Sequence, residues 1–152
     1  MIKTHLTTDD AKKIIELGRR LHDESKFKSE PYDELKCWGL LESTVVRPDK
    51  RFIAYNEDFT GFIIVGIQES YFSEVKHAVD YGLFIVPEAR GGSLVVRLVN
   101  EATKWAFLQG AKDLTIFHNT GIQTDKAPKL FNKLGFDMNG YIFTKDLQTC
   151  AD

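Results

Sequence analysis

Arg90-Gly91-Gly92-Ser93 is the stretch of this 152-residue chain best equipped for chemistry. A short apolar run, Leu83 to Val86, precedes it, and Pro87 then removes a backbone donor and breaks the strand. After it, Leu94, Leu98, Ala102, Trp105 and Ala106 recur at the spacing of one helix face. The order is strand, glycine loop, helix. Glycine lets the backbone turn sharply and come close to a ligand. The first N–H groups of a helix have no partners within it, and the helix dipole favours negative charge there. Arg90 adds a positive charge beside them. The expected chemistry is anion binding by backbone N–H groups from Arg90 to Leu94, with a pyrophosphate as the ligand. A plain connection, in which Gly-Gly merely closes a turn, accounts for the same residues without a ligand.

The rest of the composition narrows the classes of function. A length of 152 residues fits one domain, 1–152, with a proper core, and 43% hydrophobic with 28% charged residues is ordinary for a globular protein. A net charge of −2 gives no reason to expect nucleic acid or an anionic membrane as a partner. No apolar run approaches the length of a membrane span. The polar start, Thr4, His5 and Thr7 to Asp10, does not read as a signal peptide. Cys37 and Cys150 form no Cys-x-x-Cys or Cys/His cluster, so free thiols in a reducing cytoplasm are expected, and no metal site.

The elements that position the loop follow from periodicity and punctuation. Ile2 to Leu6 reads as a strand. Thr7 or Thr8 caps a helix with Asp9 and Asp10 at its positive end, and Ala11, Ile14, Ile15, Gly18 and Leu21 share a face. His22 to Glu30 reads as a loop. Pro31 fits the first turn of a second helix, whose stripe is Tyr32, Leu35, Trp38, Leu41 and Val45. Arg51 to Tyr55 and Gly61 to Gln68 form a hairpin about Asn56-Glu57-Asp58. His77 to Val86 leads into the glycine loop, and a helix runs from about Gly92 to Gln109, with Gly110 as its cap. Asp113 to Phe117 is a strand, a last helix begins near Ala127, and Tyr141 to Leu147 is a closing strand. The order β-α-α-β-β-β-α-β-α-β describes an α/β or α+β sandwich with a central mixed sheet.

Val86-Pro-Glu-Ala-Arg-Gly-Gly-Ser93 resembles the acyl-CoA-binding loop of the GCN5-related N-acetyltransferases (GNAT family). Leu130-Phe-Asn-Lys-Leu-Gly-Phe136 resembles that family's second signature, Leu-Tyr-x-Lys-x-Gly-Phe. The two stand in the family's order and at about its spacing, and the order of elements agrees over nearly the whole chain. The resemblance implies the acyl-CoA N-acyltransferase fold, acetyl-CoA as cosubstrate and an amine, of a small molecule or a protein, as acceptor. It also implies that backbone groups of Phe84, Ile85 and Val86 pair with the pantetheine arm as an added strand would. Dimers are frequent for such a fold, and a homodimer stays open.

Acetyl transfer to an amine needs a held cofactor, a neutral amine and a stabilised leaving thiolate. For the base, Asp80 is the first candidate because it precedes the apolar run. His77 is second, its ordinary pKa suiting proton transfer near neutrality, and His118 is third. For each of the three, a solvated surface residue is the commoner reading of a polar side chain. Asn119 could bond the pantetheine amide or simply make a turn, and Thr124 stands where relatives often carry an asparagine. Two departures from the family pattern matter. Ser93 and Val95 occupy the places of the loop's usual small residues. Phe131 occupies the place of the tyrosine that protonates the thiolate in many relatives, and it has no proton to donate, although it can pack against the cofactor arm or the core. A binding protein that holds CoA without catalysis is the alternative this departure favours.

Overall fold

In the computed structural model, which describes residues 1–118, 120–123 and 125–148, the Thr7 hydroxyl accepts a hydrogen bond from the Asp10 N–H and starts helix α1, Thr8–Glu24. Ala11, Ile14, Ile15 and Leu17 are the face α1 buries. The helix runs three residues into the stretch expected to be loop. Asp33 caps α2, Glu34–Val46, by accepting from the Lys36 N–H, so Pro31 lies outside that helix. Of the stripe expected on α2 only Leu41 is buried, and Leu35 and Val45 are exposed. Tyr32 instead packs back on α1, donating to the Ile15 carbonyl at 2.8 Å.

Five strands make one mixed sheet in chain order: β1 Ile2–Lys3, β2 Arg51–Asn56, β3 Gly61–Glu69, β4 Lys76–Ile85 and β5 Leu114–Thr115. The first four pair antiparallel and β5 lies parallel to β4. Helix α3, Leu94–Leu108, joins β4 to β5, as a parallel crossover requires. Gly110, with φ 80°, follows its end as expected. β3 is buried from Gly61 to Ile67, on both of its faces, as a strand covered on both sides requires. Ile53, Tyr55, Ile63, Val65, Leu98 and Val99 are fully buried. Trp105 of α3 stacks on Phe52 of β2 at 5.3 Å, which fixes the face that α3 covers.

The described chain divides into two units, Met1–Phe117 and His118–Asp152. The first holds the sheet and α1 to α3. The second holds α4, Ala127–Lys133, within which Phe131 meets Phe136 edge-on at 5.8 Å. Tyr141–Leu147 forms no strand, which corrects the sequence expectation. A β-rich composition sets only a propensity, and a strand exists only where a partner edge takes its hydrogen bonds. Among the described residues no helix is long and apolar enough to cross a membrane.

Candidate active site

The loop between β4 and α3 opens with a short 3-10 turn, Pro87–Ala89. Its entry is fixed from both sides: the Val86 N–H donates to the Thr60 carbonyl at 2.9 Å, and the Ala89 N–H donates to the Val86 carbonyl at 2.9 Å. Gly91 has φ 90°, a conformation that strains any residue with a side chain. Leu94, 6% exposed, anchors the first turn of α3 in the core. Ser93 is the N-cap, and its side chain makes no capping bond. Arg97 N–H is the first to bond within the helix, to the Ser93 carbonyl. Among the described residues nothing accepts a hydrogen bond from the N–H groups of Gly91, Gly92 or Ser93. A Cβ at Gly92 would meet no atom within 4 Å. The loop thus presents consecutive backbone donors, at a helix N-terminus, over open space.

Arg90 does not stand beside this loop as an unpaired charge. Its Nε donates to the Ile85 carbonyl at 2.9 Å, and both terminal nitrogens donate to the two Glu24 oxygens at 2.7 Å. A second clamp runs the opposite way, with Arg20 holding Glu88 at 3.0 and 2.9 Å. The end of α1 therefore fixes the loop through two crossed, bidentate pairs. The Arg90–Glu24 pair is the better shielded, with side chains 18% and 30% exposed, and counts for more than its solvated partner.

Among the described residues, the preceding strand is unpaired along much of one edge. β4 pairs with β5 only at Ala78–Leu114 and Val79–Thr115, and beyond that the two strands part. An irregularity in the β3 register puts one extra residue, Tyr81, between Asp80, opposite Val65, and Gly82, opposite Ile64. This is a β-bulge at the point of parting. The bond from Val86 N–H to Thr60 sets the phase of the ladder. Phe84 therefore shares its backbone bonds with Phe62 of β3, while Leu83 and Ile85 turn theirs away from β3. Of the residues expected to meet an added strand, Ile85 faces the open edge, although its carbonyl already receives Arg90. Phe84 and Val86 are committed to β3 and its turn. Leu83 faces the edge and was missed, because side-chain alternation does not reveal hydrogen-bond phase.

Asp80 sits at the same bulge. Its Oδ1 accepts the Phe117 N–H at 2.7 Å, a bond that bridges the gap between the parting strands. Burial pushes its carboxyl up to about 6, against that bond, which works to lower it. His77 lies at the other end of β4, where the strands are still joined, and its Nδ1 pairs with Asp113 at 2.7 Å. The structure does not bring it to Asp80. His118 belongs to the second unit, its ring tilted against Phe131 at 6.5 Å. Asn119 and Thr124 lie outside the described residues, as does Cys150. Cys37 is a free thiol, and among the described residues no group of His, Cys, Asp and Glu is arranged to hold a metal.

The model of the acetyltransferase (GNAT) family matches residues 13–136. No curated protein sequence gives a significant match. Among solved structures, the glucosamine-6-phosphate N-acetyltransferase of Arabidopsis thaliana superposes with a TM-score of 0.72 at 14% identity, covering 96% of this chain and 97% of that one. An aminoglycoside acetyltransferase from an uncultured soil sample gives 0.70 at 16% identity, over 96% and 98% of the two chains. A transcriptional regulator from Bacillus halodurans gives 0.74 at 18% identity, over 96% and 98%. At such identities the likeness is one of fold.

Proposed function

Because this chain belongs to the GNAT family of acetyltransferases, we propose that it transfers the acetyl group of acetyl-CoA to a primary amine by direct attack, as one catalytic domain spanning 1–152. One observation carries the reading: a free strand edge at Leu83 and Ile85 runs directly into a loop of unbonded amides at Gly91, Gly92 and Ser93. An extended amide chain ending in a diphosphate fits both parts, the arm as an added strand and the anion at a helix N-terminus. The clear space at Gly92 suits the close approach this needs.

Acetyl-CoA would supply the activated thioester. The chain would supply position and a proton acceptor. In the transfer, a C–N bond forms, the C–S bond breaks and the amine loses one proton. Asp80 is the group we assign to accept it. It stands where the strands part, and a carboxyl near 6 is ionised at neutral pH yet more basic than an ordinary aspartate. Phe131 cannot protonate the departing sulfur, so solvent would do so. The cytoplasm is the proposed location, on the chain's sparse cysteines, of which Cys37 is free.

Thiol release from acetyl-CoA over a panel of primary amines tests the proposal. Turnover that requires an amine supports it. Phe131, where many relatives have a tyrosine, favours the second reading, a CoA-binding module without catalysis. Tight CoA binding with no turnover on any amine would establish that second reading and overturn the first.

A further inference from the structure

Successive strand residues point to opposite faces. Phe52 stacks on Trp105 of α3, so Arg51 projects from the other face of the sheet. There its guanidinium lies 4.7 Å from the centre of the Tyr81 ring. The two meet above Gly66, the partner of Arg51 in β3. A Cβ at Gly66 would fall 2.5 Å from Tyr81 Cε2 and 2.9 Å from Arg51 Nη1, so the stack needs glycine beneath it. Tyr81 is the extra residue of the β4 bulge, adjacent to Asp80. It is 40% exposed, and the stack therefore opens to solvent at the bulge.

Stacking covers a face of a guanidinium and leaves its N–H edge available. Arg51 donates one hydrogen bond, from Nη1 to the Lys50 carbonyl at 3.1 Å. Among the described residues no carboxylate pairs with it. Arg19, Arg20, Arg47 and Arg90 each hold a carboxylate. Arg97, the other arginine without one, lies exposed on α3. Arg51 alone is half-buried, held flat by an aromatic ring and left with uncommitted donors. A fixed planar fork of this kind suits the oxygens of a carboxylate or phosphate.

Building on the acetyl-transfer reading, we propose that Arg51, supported by Tyr81, binds an anionic group of the acceptor, which is therefore an amine that carries its own carboxylate or phosphate. The test compares kcat/KM, expressed per neutral amine, for pairs of amines matched except for the anion: an amino acid against its carboxamide, and an amino-sugar phosphate against the amino sugar. The wild-type protein should favour the anionic member of one pair about tenfold or more, mainly through KM. The pair that shows the preference tells carboxylate from phosphate. Arg51→Gln should bring the ratio close to one, Arg51→Lys should keep part of it, and Gly66→Ala should lower it by forcing the stack apart. Calorimetry with CoA checks that each variant is folded. Equal use of both members of each pair by the wild-type protein, or a preference that survives in Arg51→Gln, overturns this inference alone. No turnover of any amine overturns it together with the reading it rests on.

Discussion

Burial at the β4 bulge raises the Asp80 carboxyl to about 6, and the sign of that shift makes two opposed predictions. As pH falls below about 6, Asp80 takes a proton and can no longer accept one from the amine, so kcat/KM should fall about tenfold per unit. Asp80→Asn should lower kcat/KM by about 10²-fold or more and remove that limb of the profile. Stability moves the other way. The folded protein holds the Asp80 proton more tightly than the unfolded chain, so this group's contribution is full below pH about 4 and is lost as pH rises through about 6. Asp80→Asn should therefore stabilise the protein at pH 7 by about 1–2 kcal/mol, measured by urea unfolding. The position of Asp80 before an apolar run was readable in the sequence. Its burial was not, because that depends on where β5 leaves β4. The Arg51–Tyr81 stack was hidden for a similar reason. The two residues are far apart in sequence and meet only through the register of β2, β3 and β4.

At the scale of elements, the open edge of β4 and the clamps from α1 can be separated by mutation. Leu83→Pro deletes an N–H that points away from β3, so the sheet should survive while CoA affinity falls about tenfold. Phe84→Pro removes a donor committed to Phe62 and should destabilise the fold itself, seen as a lowered Tm. Glu24→Gln removes the partner that fixes Arg90 and should weaken CoA binding several-fold with little change in far-UV circular dichroism. Strand, glycine loop and helix were legible because each carries a strong local signal: the apolar run, Pro87 with the two glycines, and the spacing of Leu94, Leu98 and Ala102. The clamps were not, since they join the end of α1 to loop residues that lie 66 and 68 positions away in the sequence. The closing strand at Tyr141–Leu147 failed for the converse reason, a propensity without a pairing edge.

At the scale of the molecule, the buried Asp10 ties β1, α1 and β2 together. It receives Lys3 Nζ at 2.7 Å and the Tyr55 hydroxyl at 2.7 Å. Lys3 first, then Tyr55, holds its carboxyl down at about 2 against the cost of burial. A lowered pKa gives stability that is present above pH about 4 and lost as pH falls toward 2, worth about 2 kcal/mol. Acid unfolding should be shallower in Asp10→Asn, which starts less stable at pH 7. The family was legible from two short signatures, and its model runs from residue 13 to 136. The acceptor left no such motif, because Arg51 and Tyr81, to which we assign its anionic group, are brought together only by the register of the sheet. The claim on which all of this turns is that β4 and the amides of Gly91, Gly92 and Ser93 hold CoA. Calorimetric titration of the folded protein with CoA tests it most directly. One-to-one binding at roughly micromolar Kd, weakened in Leu83→Pro, is the predicted result. A folded protein that takes up no CoA at millimolar concentration would contradict it.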